Sequence, residues 1–174
     1  MKMKDTLTVI HERKSVRSFT GEPVKKSDLE EILRAGMAAP TAVNMQPWSF
    51  IAITERSILD DLAAALPYAK MLTRAGAAIV VCTEPDKANK KSRDFAVIDA
   101  SLAGENILLA IEALGLGGLW TAVYPYPDRM KHVREVLKIP QEVIPLNVIP
   151  IGVPTGEDKP KNKYKHEKIH WEKW

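Results

Sequence analysis

The stretch DFAVIDASLAGENILLAIEAL, residues 94–114, is the longest helical pattern in the chain. Phe95 and Ile98 begin an apolar period of three to four residues that continues to Ala113, and much of the remaining stretch is also apolar. A helix that is apolar on most sides is usually buried at the centre of a fold. We therefore expect this helix to be the central element, closed by Gly115 and the glycines that follow.

The residues before this helix predict two helices, a strand, a third helix and a second strand. Ser27 and Glu30 have the spacing of a capping box, so we expect the second helix to begin at Ser27 and to end before Pro40. The predicted elements are a helix over Asp5–Glu12, the helix from Ser27, a strand over Trp48–Thr54, a helix capped by Ser57 that runs to about Leu66, and an apolar strand over Ala77–Thr83.

The residues after the long helix predict a short strand over Gly118–Ala122, a helix that begins at Pro127 and a last strand over Val143–Ile151. Pro145 and Pro150 favour either a sheet edge for the last strand or positions at the ends of that strand, because proline donates no hydrogen bond to a ladder. The element order predicts an α+β fold in which helices flank a central mixed sheet of about four strands.

The composition fits a single folded domain of 174 residues, of which 45% are hydrophobic and 27% charged. The sequence contains no run of 18 apolar residues, so no transmembrane helix is predicted, and the N-terminus lacks the apolar core of a signal peptide. The single cysteine, Cys82, cannot build a disulfide framework and is expected to be a buried thiol. We therefore expect a cytoplasmic protein with no membrane partner.

Positive charge is concentrated in residues 159–174, the C-terminal arm, which holds six lysines and two acidic residues. Residues 1–158 hold 19 basic and 20 acidic residues and form a nearly neutral body. Three interpretations of the arm remain open: a solvated end, a nucleic-acid contact, or a contact with a phosphate-bearing cofactor. The neutral body argues against nucleic acid, which usually needs a broad basic surface. We expect Trp171 and Trp174 to pack on the body or on a second subunit.

A basic segment, RKSVR at residues 13–17, follows the first predicted helix. Arginine presents a planar fork of donors that matches phosphate, and serine adds a hydroxyl. In an extended chain Arg13, Ser15 and Arg17 point to one side, because side chains alternate. We interpret this segment as an anion-binding site, with a solvated basic patch as the alternative.

A proline-bracketed loop, APTAVNMQPW at residues 39–48, joins a helix to a strand. The amides of Asn44 and Gln46 offer both donors and acceptors, which suits the edge of a flavin or a sugar-like chain. An ordinary connecting loop is the alternative. No nucleophile motif accompanies it, and His166 and His170 are expected to be a surface pair, so no metal site is predicted.

The order of these features resembles the FMN-dependent nitroreductase family. The Arg-x-Ser-x-Arg segment comes first, the Ala-Pro-Thr-x-x-Asn-x-Gln-Pro-Trp loop second, the long apolar helix with Asn106 third, and a Gly-rich turn and a basic arm follow. The resemblance covers nearly the whole chain, and the Asn-x-Gln-Pro-Trp entry into a strand is its most specific part.

The resemblance implies an α/β sandwich that forms a homodimer through its long helices, with a domain-swapped C-terminal arm and FMN at each subunit interface. It implies phosphate contacts from Arg13, Lys14, Ser15, Lys161 and Lys163; contacts at the flavin pyrimidine edge from Arg17 and Lys70; contacts from the partner subunit by Pro40, Thr41, Ala42, Asn44 and Gln46; and backbone contacts to the ring from Trp120, Thr121 and Ala122.

The function that this resemblance implies is an FMN-dependent oxidoreductase. It would use NADH or NADPH to reduce a small acceptor such as a nitroaromatic, a quinone or an enone, by ping-pong hydride transfer. The cofactor would carry the chemistry, so no side chain is expected to be catalytic, and Arg17 would stabilise the reduced flavin. The alternative is a flavin-binding or flavin-sequestering protein with little turnover.

Overall fold

A computed structural model describes residues 5–174. Its helices are α1 Thr6–Glu12, α2 Lys26–Met37, α3 Arg56–Ala65, α4 Arg93–Ala113 and α5 Pro127–Leu137, and its strands are β1 Trp48–Ile53, β2 Ala77–Thr83, β3 Gly117–Gly118, β4 Thr121–Ala122 and β5 Ile144–Gly152. Short 3-10 turns cover Ala42–Asn44, Lys70–Arg74, Pro85–Lys87, Asn89–Lys91 and His166–Lys168. The α+β class is confirmed.

The five strands form an open sheet in the order β1-β2-β5-β3, with β4 also paired to β5. Each of these strand pairs is antiparallel, so the expectation of a mixed sheet is wrong. The one parallel element in the described residues is an isolated bridge between Ser15 and Gly118. Helix α3 leads away from the end of β1, and the turn Lys70–Arg74, which contacts α3, brings the chain back to that same end. The strands on either side of this connection therefore run in opposite directions.

Strand β5 lies inside the sheet, so the expected edge position is wrong, whereas Pro145 and Pro150 do lie near the two ends of the strand. Pro145 stands at an irregularity in the ladder with β2, where the register shifts between Val81 and Cys82. Pro150 is tolerated because β3 and β4 leave a gap opposite it: continuing their common register would place Leu119 against Pro150. The missing amide hydrogen therefore explains why the predicted strand over Gly118–Ala122 is split in two.

Two of the predicted helix caps are wrong. Helix α2 begins at Lys26, before Ser27, and its first turn has no side-chain cap. The residues flanking this start are exposed, so water can bond the free amides of the first turn. Helix α3 begins at Arg56, and the Ser57 hydroxyl instead donates to the Glu55 carboxylate at 2.8 Å.

The sheet separates two hydrophobic cores. One contains α2 and α4, with Ile32 and Ile107 fully buried, and the other contains α3 and α5, with Leu62 and Val133 fully buried. Cys82 lies in the second core, where burial raises the pKa of its thiol to about 12. The expected buried thiol is therefore confirmed.

Helix α4 is buried on one side only, which corrects the expectation of a helix buried all round. Its buried side is rich in small residues such as Ala96, Ala100 and Ala103, which let it lie close to the sheet. Phe95 and Ile98, from which the apolar period was read, are 39% and 54% exposed. A long helix therefore presents an apolar face that no part of residues 5–174 covers.

The C-terminal arm is exposed along its whole length, from Lys159 to Trp174. Trp171 is 76% exposed, and Trp174 stacks on His170 with ring centroids 4.2 Å apart. In residues 5–174 no helix is long and apolar enough to cross a membrane, and no group of three or more potential metal ligands occurs.

Candidate cofactor site

A cationic cavity of about 420 Å³ lies between the basic segment and the start of the C-terminal arm. The five residues predicted to contact phosphate line it together: Arg13, Lys14, Ser15, Lys161 and Lys163. The remaining lining residues are Arg17, Glu157, Asp158, Lys159 and Pro160. Residues almost 150 positions apart in the chain thus form one site.

Backbone pairing places the basic segment beside the sheet. The Val16 amide donates to the Gly118 carbonyl at 3.1 Å, and the Thr155 amide donates to the Ser18 carbonyl at 3.0 Å. The Asp158 carboxylate accepts from the Arg17 amide at 2.9 Å. These bonds hold the basic segment and the start of the arm in fixed relative positions.

Two carboxylates of α4 contact the basic segment from the other side. Glu105 lies 3.3 Å from the Arg13 guanidinium, and Glu112 lies 3.0 Å from the Lys14 ammonium. The Glu112 side chain is only 6% exposed, so the second pair is largely shielded from water. Seven residues separate the two glutamates, which places them on the same face of the helix.

A second groove of about 550 Å³ adjoins the first at Arg17. Its other lining residues are Tyr68, Lys70 and Met71, and Tyr68 is 83% exposed. The structure therefore brings Lys70 to the same groove as Arg17, as the sequence predicts. The Arg17 guanidinium donates to the Ser15 carbonyl at 3.3 Å, and no ion pair to it is found in the described residues.

The loop between α2 and β1 forms its own hydrogen-bonded unit. The Gln46 amide donates to the Thr41 hydroxyl at 3.1 Å, and the Gln46 side chain donates to Asn44 at 3.2 Å. The Ala42 amide donates to the Asp99 carboxylate at 3.1 Å. Residues 40–46 are absent from the linings of the cationic cavity and of the groove at Arg17. One chain alone does not bring this loop to the predicted phosphate contacts.

Residues 120–122 follow the Gly-rich turn, and Thr121 and Ala122 pair with β5. The Trp120 ring lies against α4 at Gly104, where an added Cβ would come within 2.6 Å of the ring. Thr121 is buried by its pairing with Val148. The Ala122 carbonyl accepts from the Arg129 guanidinium at 3.0 Å. The Trp120 side chain therefore packs against α4, and any contact of Trp120 with a ligand would come from its backbone.

Sequence reasoning missed the acidic residues of the site. Glu157 and Asp158 line the cavity, and Asp99, Glu105 and Glu112 contact the loop and the basic segment. The acidic pair directly before the basic arm was a readable signal. The three α4 carboxylates were not readable in this way, because their partners are distant in sequence.

The family model described as "Nitroreductase family" matches residues 10–67 and 61–153. A protein of Archaeoglobus fulgidus, provisionally assigned as an NADH dehydrogenase or NAD(P)H nitroreductase, is 41% identical over 99% of this chain and 100% of its own. The crystal structure of a protein with the same provisional assignment, from Parabacteroides distasonis, has a TM-score of 0.92 at 47% identity, covering 98% of this chain and 99% of its own.

A third relative was crystallised with a cofactor. This provisionally assigned nitroreductase from Desulfovibrio desulfuricans, in complex with FMN, has a TM-score of 0.83 at 25% identity and covers 99% of both chains. The family model alone spans more than half of the sequence. The chain belongs to the nitroreductase family.

Proposed function

We propose that this protein is an FMN-dependent oxidoreductase that uses NADH or NADPH to reduce a small acceptor. The observation that carries the proposal is the cationic cavity, in which Arg13, Ser15, Lys161 and Lys163 converge from the two ends of the chain. The FMN complex of the Desulfovibrio desulfuricans relative and the NAD(P)H activity assigned to the Archaeoglobus fulgidus relative support it.

The charge of the cavity fits the phosphate of FMN. Six cationic side chains line the cavity, and the two acidic lining residues together with Glu105 and Glu112 offset four of these charges. The remaining charge of +2 matches a phosphate monoester, which carries roughly −1.5 to −2 at neutral pH. Arg13 and Ser15 supply the fork and the hydroxyl that phosphate oxygens accept from.

The groove at Arg17 fits the flavin ring because it is contiguous with the phosphate cavity and carries two cations, Arg17 and Lys70. Bound FMN would supply the redox chemistry, taking hydride from a nicotinamide and passing electrons to a nitroaromatic, a quinone or an enone. Arg17 would stabilise negative charge at the pyrimidine edge of the ring. The donor and the acceptor would occupy this groove in turn, which is a ping-pong order.

A homodimer would complete the site. The exposed face of α4 and the exposed Leu7 and Ile10 of α1 form an apolar surface that a second copy would bury. In that dimer the loop carrying Pro40, Thr41, Ala42, Asn44 and Gln46 would reach the flavin of the other subunit, while the backbone of Trp120, Thr121 and Ala122 contacts the ring from its own subunit.

The C-terminal arm would be exchanged between the two subunits. Strand β1 pairs with β2 on one side, and its other edge is unpaired in the described residues. A groove of about 450 Å³ lies beside this strand, and its lining mixes apolar side chains such as Ile51, Ile58 and Val136 with the polar side chains of Thr54, Glu55 and Lys138. A partner's arm could add there and bury its tryptophans.

A nicotinamide-dependent reductase also draws on the cell's NAD(P)H pool, which agrees with the expected cytoplasmic location.

Removing the arm lysines that line the cavity will weaken phosphate recognition. We expect the double variant Lys161→Ala and Lys163→Ala to bind FMN about 150-fold more weakly, because each of the two charge-assisted bonds contributes about 1.5 kcal/mol. Riboflavin, which lacks the phosphate, should bind both proteins alike. Lys168→Ala, elsewhere in the arm, is the matched control. Fluorescence titration would contradict the proposal if FMN and riboflavin bound the wild-type protein equally.

Replacing Arg17 will lower the reduction potential of bound FMN. A unit charge in contact with the flavin edge, about 4 Å away, contributes about 4 kcal/mol at the effective dielectric of a protein surface, so Arg17→Ala should lower the potential by up to about 90 mV. Arg17→Lys keeps the charge and should retain most of the potential. In a redox titration, an unchanged potential with equally weakened binding of oxidised and reduced FMN would rule out this role.

Removing the two arm tryptophans will weaken the dimer. We expect the double variant Trp171→Ser and Trp174→Ser to raise the dimer dissociation constant at least about tenfold, because buried tryptophans often dominate interface energetics. Lys173→Ala, between them, should leave it unchanged. Sedimentation equilibrium measures both. An unaltered dimer, or a loss confined to salt-sensitive nucleic-acid binding, would contradict the exchange of the arm.

A further inference from the structure

The loop between α2 and β1 has a strained backbone. Val43, Asn44 and Gln46 have φ values of 50°, 57° and 52°, in the left-handed region. Asparagine tolerates this region, but for a β-branched residue such as Val43 it is a genuine outlier. Such a conformation persists only where surrounding contacts fix it. Val43 is 77% exposed, so its own side chain contributes few of these contacts.

Besides the Pro47 carbonyl, which accepts from the Glu84 amide and the Thr83 hydroxyl at the far end of the loop, the contact that fixes the loop from outside comes from Asp99 on α4. Its carboxylate accepts from the Ala42 amide at 3.1 Å, at the first residue of the turn that contains Val43. The other hydrogen bonds of residues 41–46 in the described structure stay within the loop. Asp99 is therefore the hydrogen-bond link between this loop and the helix that lies on the sheet.

Asp99 costs stability in its present position. The residue is 2% exposed, and its second carboxylate oxygen, Oδ2, has no hydrogen-bond partner in residues 5–174. A buried carboxylate oxygen without a partner is unfavourable, and an apolar residue of similar size would fill the same space without that cost. The bond to Ala42 is what an apolar residue could not supply.

We propose that Asp99 is a positioning residue for the flavin. By holding the Ala42 amide it keeps the loop in its strained shape, so that the amides of Asn44 and Gln46 are presented ready-made to the ring in the partner subunit. This inference rests on the proposed function. The inference adds to the proposed site a residue, Asp99, that does not itself contact the cofactor. Preorganisation lowers the ordering cost of binding, so losing the link should appear first as weaker FMN affinity.

Two substitutions separate positioning from packing. Asp99→Asn keeps an oxygen that can accept from the Ala42 amide, whereas Asp99→Leu keeps the approximate volume and removes the acceptor. Ser101→Ala is the matched control on the same helix, since the Ser101 hydroxyl bonds only to the Val97 carbonyl of its own helix. We expect FMN to bind Asp99→Leu about tenfold more weakly, and Asp99→Asn and Ser101→Ala to stay within about twofold of wild type.

A second readout needs no flavin. Hydrogen exchange of the Ala42 amide, followed by NMR on the flavin-free protein, should be slow in the wild type and in Asp99→Asn and at least about tenfold faster in Asp99→Leu. If the wild type binds no FMN, the proposed function fails, while this measurement still tests the link. An Ala42 amide that stays protected in Asp99→Leu overturns the inference, even if that variant dissociates into monomers.

A strain-relieving variant keeps the inference testable if Asp99→Leu folds poorly. Glycine adopts left-handed φ values freely, so Val43→Gly should reduce the dependence of the loop on Asp99. In a double-mutant cycle, Asp99→Ala should weaken FMN binding several-fold less in the Val43→Gly background than in the wild-type background. Equal losses in both backgrounds would show that Asp99 does not act through the loop conformation.

Discussion

The close packing of α4 on the sheet, through alanines and Gly104, is the contact on which the rest of the molecule depends. This packing fixes the position of α4, and side chains of α4 in turn fix the positions of other segments of the site. Glu105 and Glu112 hold the basic segment, and Asp99 holds the loop between α2 and β1. Three carboxylates on one helix thereby set the positions of segments that are far apart in sequence, which explains why a helix so rich in apolar residues also carries buried charge.

The same packing leaves the other face of α4 without a partner. Phe95, Ile98 and Leu102 are exposed together with apolar residues of α1, and the C-terminal arm ends in two exposed tryptophans. In the proposed function, a chain with these features needs a second copy to cover its apolar face and to complete its site. One partner would supply both, because the second subunit that would cover the apolar face would also bring its loop to the flavin. Assembly and cofactor binding would then stabilise each other.

Much of the fold was predictable from local sequence. The apolar runs of β2 and α4 and the proline that starts α5 gave nearly correct boundaries, since each is determined by neighbouring residues. The strand order was not predictable. The two prolines of β5 fit inside the sheet only because the ladder with β2 is irregular at Pro145 and because β3 and β4 leave a gap opposite Pro150, and these strands are distant in sequence. In the site, arginine, serine and lysine could be predicted as phosphate contacts from their chemistry, and the structure brings Arg13, Ser15, Lys161 and Lys163 to one cavity. Asp99 was missed because its role depends on an amide 57 positions away.

The most direct test of the account is an absorbance spectrum of the purified protein with FMN, recorded without oxygen before and after the addition of NADH and NADPH, and again after a quinone or nitroaromatic. We predict that protein-bound flavin bands bleach with at least one nicotinamide and return in stoichiometric amount with the acceptor. Flavin bands that persist with both nicotinamides would contradict the oxidoreductase function and favour a flavin-sequestering protein. A chain that binds no FMN at all would contradict the cofactor site itself.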